Sequence, residues 1–139
     1  IGKFLVQTEI TTGLIGVIGA LDVHPFVVIA IFALMYLVLG AVLDTFGMII
    51  LTLPFVFPVI LSLGFDRVWF GIFLTIMIEL ALITPPIGIN VYVMKRVAPD
   101  VPLGDIFRGA APFAVLALVV VVLITFFPEL VLWLPSTMR

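Results

Sequence analysis

The chain has 139 residues, 65% of them hydrophobic and 10% charged, with a formal net charge of −2. Soluble domains carry roughly 25% charged residues; at a mean hydropathy of +1.49 this composition excludes a soluble globule and defines an integral membrane protein. No basic patch supports nucleic-acid binding, the lack of cysteine excludes disulfides and thiolate metal sites, and one histidine, His24, excludes a histidine metal cluster within the chain.

The sequence opens at Ile1 without a signal-peptide pattern and reads as the C-terminal part of a longer protein. Residues 1–21 are mildly amphipathic and are expected to form an interfacial or arm helix, or a connector. At Asp22-Val23-His24-Pro25 the chain stops and restarts: Asp22 or His24 can cap, and Pro25 suits the first helical position.

Pro25–Leu43 and Thr45–Phe65 carry no charge, and only Asp44 separates them. With almost no polar loop between two legs, residues 25–63 are expected to form a helical hairpin with its tip at 43–47. Two full spans meeting at a membrane surface and a re-entrant hairpin with Asp44 at membrane depth both fit. Pro54 and Pro58 are expected to break the second leg into shorter pieces, which favours the re-entrant geometry. A carboxylate at mid-membrane costs about 2.5–3.5 kcal/mol on insertion scales and must be paired, protonated or hydrated.

Gly64-Phe65-Asp66-Arg67 reads as a surface turn, with Trp69 as an interfacial aromatic anchor. The apolar stretch that follows, within residues 68–97, is interrupted by Ile83-Thr84-Pro85-Pro86-Ile87-Gly88-Ile89-Asn90. Two prolines remove N–H donors and Gly88 permits unusual backbone angles, so the helix must break here. Hydrocarbon cannot satisfy freed carbonyls, and such a break is tolerated only where it is buried in protein or lines a wet cavity. Glu79 lies in the first arm, where an intramembrane carboxylate is either a functional group or a hydrogen-bonded structural one.

Residues 98–105 form a polar loop and a helix start, with Asp100 and Asp105 as expected caps. Lys95, Arg96 and Arg108 are half of the six basic residues of the chain, so the positive-inside rule places the loop at 95–108 in the cytoplasm and the C-terminus in the opposite compartment. Residues 104–134 complete the chain as a final transmembrane helix with an aromatic tail.

No nucleophile triad, metal-ligand spacing or phosphate loop argues for an enzyme. A cation site is better supported. Sodium is a hard ion that prefers oxygen ligands, and the break supplies free carbonyls and the Thr84 hydroxyl. Asp44 and Thr45 at the hairpin tip bring further oxygens. The start of the second arm, at Gly88 and Asn90, carries the positive end of a helix dipole that can face a substrate carboxylate. Transport is one reading; a non-transporting membrane scaffold and a channel subunit are the others.

The stretches Leu39-Gly40-Ala41-Val42-Leu43-Asp44, Glu79-Leu80-Ala81-Leu82-Ile83-Thr84-Pro85-Pro86-Ile87-Gly88-Ile89-Asn90, Ala98-Pro99-Asp100 and Asp105-Ile106-Phe107-Arg108-Gly109 together resemble the C-terminal half of the large membrane subunit of TRAP transporters (tripartite ATP-independent periplasmic transporters, the DctM or SiaM-like type). The resemblance implies an all-α, elevator-type fold similar to the divalent-anion/sodium symporters: this chain would be one repeat, with an arm helix, a re-entrant hairpin, a discontinuous helix and a scaffold helix. It implies sodium-driven import of small organic acids, C4-dicarboxylates or sialic acid, across a bacterial inner membrane. The implied partners are a small membrane subunit, a periplasmic substrate-binding protein, the N-terminal repeat of the same subunit and membrane lipid; no cofactor beyond the coupling sodium is implied. By position, sodium would be held by carbonyls around Gly40, Ala81 and Ile87 with Thr84, and Asp44, Thr45, Glu79, Gly88 and Asn90 would lie near the ion or substrate. The family usually has glycine where Ala81 stands, so the methyl group is expected to crowd a close backbone approach.

Overall fold

The computed structural model describes Lys3 and residues 9–85 and 88–138. The first part of the expected arm segment, residues 1–8 except Lys3, and residues 86 and 87 of the break lie outside the described residues. The described residues are helical throughout, with no strand: α1 Ile10–Ala20, α2 Pro25–Gly40, α3 Thr45–Ser62, α4 Arg67–Ile83, α5 Ile89–Val97, α6 Leu103–Phe126 and α7 Glu129–Thr137. Two of these, α3 and α6, are long and apolar enough to cross a membrane, and α2 is a shorter apolar helix.

Local chemistry explains the helix starts. The His24 imidazole accepts from the Phe26 N–H, with Pro25 in the first turn. Asp44 accepts from Gly47 N–H at the start of α3, and Asp66 from Val68 N–H at the start of α4. Each side-chain oxygen or nitrogen satisfies a donor that the first turn leaves unpaired. The expectation fails for α6: its N-cap is Pro102, with no side-chain cap. Proline presets the backbone there without offering an acceptor. Asp105 instead sits in the first turn, 3.6 Å from Arg108 in an exposed pair, and Asp100 lies in the loop before the helix.

The second leg of the hairpin is one continuous helix, contrary to the expectation that Pro54 and Pro58 divide it. Each proline costs one backbone bond, to the carbonyl four residues earlier. Four-residue spacing places both losses on one face, so the ladder on the other faces carries the helix through. The two legs are tied together by a buried relay. Tyr36 and Thr52 hydroxyls lie 2.9 Å apart, and Thr52 donates to the Met48 carbonyl at 2.8 Å. Thr52 has one proton, so Tyr36 is the donor in the first bond.

α4 is the central helix and packs against α2, α3, α5, α6 and α7. Its inner face carries Trp69, Phe73, Met77 and Leu80, which meet Tyr36 of α2 and Met48, Val56 and Ile60 of α3 in the core. Trp69 is not the interfacial anchor expected from sequence: its exposure is 0%. It stacks between Phe65 and Phe73, and its indole N–H donates to the Ile124 carbonyl of α6 at 2.7 Å. Pro128 explains that partner. The Ile124 carbonyl would take its helical bond from residue 128, and proline has no N–H to give. The outer faces of α2, α3 and α6 remain apolar and exposed, as at Ile31, Phe46, Ile50, Phe113 and Leu116.

Candidate functional site

The unwound segment lies between α4, which ends at Ile83, and α5, which begins at Ile89. Thr84 leaves the helix with extended backbone angles, φ −94° and ψ 138°. Its hydroxyl donates to the Leu80 carbonyl. That orientation spends the only proton of the hydroxyl and leaves its lone pairs available to a cation. Helical geometry pairs each carbonyl with the N–H four residues on, so Pro85 leaves the Ala81 carbonyl without its donor and Pro86 does the same to Leu82.

The hairpin reaches this point. Gly40, the last residue of α2, is buried against Ala81: a Cβ built on Gly40 would meet the Ala81 Cβ at 2.2 Å and its Cα at 3.3 Å. The Gly40 carbonyl has no backbone hydrogen bond among the described residues, because the next turn spends its donors on Val38 and Leu39. The crowding expected from the Ala81 methyl is therefore met by the missing side chain at position 40. Gly40, Ala81 and Thr84 are thus placed at the adjoining ends of two helices; Ile87, the remaining expected ligand, lies outside the described residues.

On the far side of the break Gly88 is the N-cap of α5, with φ 52° and ψ 72° in the left-handed region. It is buried, and an added Cβ would come to 3.2 Å of both the Phe107 ring and the Thr84 carbonyl oxygen. Both the backbone angle and the space demand glycine. Phe107, on the first turns of α6, also meets Tyr92 edge-on at 6.3 Å between ring centres. Phe107 was legible only within the Asp105-Ile106-Phe107-Arg108-Gly109 stretch and not as part of the site, since its contact with Gly88 crosses between helices. The Val91 and Tyr92 N–H groups bond the Gly88 carbonyl, and those of Ile89 and Asn90, in the same first turn, have no acceptor among the described residues.

The carboxylates are arranged differently. Asp44 is exposed and caps α3, with Thr45 half-buried as the first helical residue. Glu79 sits on the exposed face of α4 between the buried Ile78 and Leu80. It makes no side-chain hydrogen bond or ion pair among the described residues, so the structural hydrogen bond weighed for it is absent there. Asn90 is exposed on α5. Beyond the break, the Lys95 ammonium donates to the Pro99 and Val101 carbonyls at 2.6 and 2.7 Å and closes the 98–102 loop.

Helical throughout its described elements and apolar, with a central helix that ends at Ile83 beside a hairpin end and resumes at Ile89, the chain has the character of a membrane protein with an interrupted helix. The chain belongs to the family described as "Tripartite ATP-independent periplasmic transporter, DctM component", whose model matches residues 1–130. It is 33% identical over 113 residues to the sialic acid TRAP transporter large permease protein SiaM of Vibrio cholerae, covering 81% of this chain and 26% of that protein. It is 29% identical over 132 residues to the C4-dicarboxylate TRAP transporter large permease protein DctM of Pseudomonas aeruginosa, covering 95% of this chain and 31% of the relative. Against the sialic acid TRAP transporter permease protein SiaT of Haemophilus influenzae the figures are 26% over 135 residues, 97% and 22%. The chain therefore spans less than a third of these relatives.

Proposed function

We propose that the chain forms one repeat of the membrane subunit of a sodium-driven TRAP transporter. In this reading it imports small organic acids of the C4-dicarboxylate or sialic-acid type, handed over by a periplasmic binding protein, together with a small membrane subunit and the N-terminal repeat. The observation that carries the reading is the contact of Gly40 with Ala81, which sets the free end of one helix beside carbonyls whose helical donors proline removes. Sodium, a hard cation, takes such oxygens: Gly40, Ala81 and Ile87 supply carbonyls and Thr84 its hydroxyl. The Ile89 and Asn90 N–H groups, at the positive end of α5, face the substrate carboxylate, with Asp44, Thr45, Glu79 and Gly88 in the surroundings of ion or substrate. α2, at 16 residues, rises about 24 Å, short of the roughly 30 Å hydrocarbon core; this favours the re-entrant hairpin and the elevator-type repeat. The membrane is the bacterial inner membrane, with the basic loop at 95–108 in the cytoplasm and the C-terminus in the periplasm.

Thr84 provides the test. In the complete transporter, Thr84→Ala is expected to raise the sodium concentration for half-maximal uptake about tenfold, the loss of one ligand at roughly 1.4 kcal/mol. Thr84→Ser keeps the oxygen and is expected to stay near the parent value. An unchanged sodium dependence in Thr84→Ala removes Thr84 from the site.

A further inference from the structure

α2 and α6 both pack on α4, and three voids run in series along the groove between them. A cavity of about 460 Å³ at the end near the α3–α4 turn is lined by His24, Phe26, Asp66 and Thr125, among others. It shares Phe26, Thr125 and Phe126 with an apolar groove of about 410 Å³. That groove in turn shares Leu37 and Leu118 with a void of about 200 Å³ bounded by Thr84, Pro85 and Phe107. The series is polar at one end only. From Phe26 to Leu37 the helix rises about 16 Å, half of a hydrocarbon core of roughly 30 Å. The groove therefore has the length of one bilayer leaflet and the polarity profile of an amphiphile.

The polar end presents two complementary groups. His24 Nδ1 accepts the Phe26 N–H at 3.3 Å, so in the neutral ring the proton sits on Nε2 and can be donated. One oxygen of Asp66 caps Val68, and the other has no partner among the described residues. Arg67 lines a neighbouring depression, which Asp66 also borders, and is not part of the lining of this cavity.

We propose that the groove binds one acyl chain of a zwitterionic phospholipid whose headgroup carries a primary ammonium. The ammonium meets Asp66, the phosphate meets His24, and the chain runs between α2 and α6 to the void beside Thr84 and Pro85. The proposal requires a membrane protein and is independent of which ion drives it.

The test is native mass spectrometry of the complete permease, purified with an equimolar mixture of phosphatidylethanolamine, phosphatidylglycerol and phosphatidylcholine. One phosphatidylethanolamine is expected to stay bound. Asp66→Asn keeps a side-chain cap on α4 and is expected to reduce the preference for phosphatidylethanolamine over phosphatidylglycerol about fourfold, the loss of one exposed ion pair. Ala33→Trp, inside the groove, is expected to abolish retention, whereas Ile31→Trp, on the exposed face of the same helix, leaves it intact. If Ala33→Trp fails to fold, Asp66→Asn still decides. Equal retention of the three lipids, a preference untouched by Asp66→Asn, or retention that survives Ala33→Trp overturns the proposal. So does a parent protein with no retained phospholipid, which would assign the groove to another segment of the permease.

Discussion

Gly40 and Ala81 share a space that admits one methyl group: the Ala81 Cβ stands 2.2 Å from where a Cβ of residue 40 would be. The contact joins the end of the hairpin's first leg to the last turn before the break. It also accommodates the Ala81 methyl group, because Gly40 presents no side chain to it.

Gly40→Ala is therefore expected to destabilise the complete permease by about 1–3 kcal/mol through overpacking and to depress uptake. Adding Ala81→Gly is expected to recover most of the loss, although glycine in a helix costs up to about 1 kcal/mol by itself. Thermal unfolding of the two single variants and the double variant gives the coupling; additive losses would mean that the two residues do not touch.

Trp69 and Pro128 form a second coupled pair. Trp69→Phe leaves the buried Ile124 carbonyl without its 2.7 Å donor and is expected to cost about 1–3 kcal/mol. In a Pro128→Ala background the restored N–H can serve Ile124 from within the helix, so the same substitution is expected to cost less. A double-mutant cycle by thermal unfolding measures the difference.

The Tyr36–Thr52 relay predicts an asymmetry. Thr52→Val strands the buried Tyr36 hydroxyl and is expected to cost about 1–3 kcal/mol. Replacing both partners, Tyr36→Phe with Thr52→Val, strands nothing and is expected to be milder than Thr52→Val alone. Unfolding in detergent reads the order directly.

Gly88→Ala meets two obstacles, a φ of 52° and the Phe107 ring at 3.2 Å. The left-handed backbone alone costs an L-residue roughly 1–2 kcal/mol. Uptake is expected to fall, and Phe107→Leu is expected to return part of it by withdrawing the ring. No recovery would separate Phe107 from the break.

What the sequence revealed was set by range. The cap at His24 was legible because it acts within two residues; Asp44 and Asp66 cap over equally short range, but the one was read as a hairpin tip and the other as part of a surface turn. The break at Thr84-Pro85-Pro86 was legible for the same reason, because proline removes donors wherever it stands. Pro54 and Pro58 misled because each was weighed as a helix breaker; their four-residue spacing, which puts both lost bonds on one face, was the relevant fact. Trp69 misled because an amphipathic ring suits an interface and a buried acceptor equally, and the acceptor, Ile124, is 55 residues away. Tyr36 and Thr52 carried a faint signal, two polar residues 16 apart and symmetric about Asp44. Phe107 stood in a recognisable stretch, but its place beside the break was hidden, since only the packing of α6 brings it to Gly88.

Coupling of solute movement to sodium is read out by the uptake of labelled organic acids into proteoliposomes. The vesicles hold the complete permease, the small subunit and the binding protein, with and without an inward sodium gradient. Uptake of a C4-dicarboxylate or sialic acid that requires both the gradient and the binding protein is the predicted result. Uptake that proceeds equally without sodium would contradict the account, and with it the cation site at Gly40, Ala81 and Thr84.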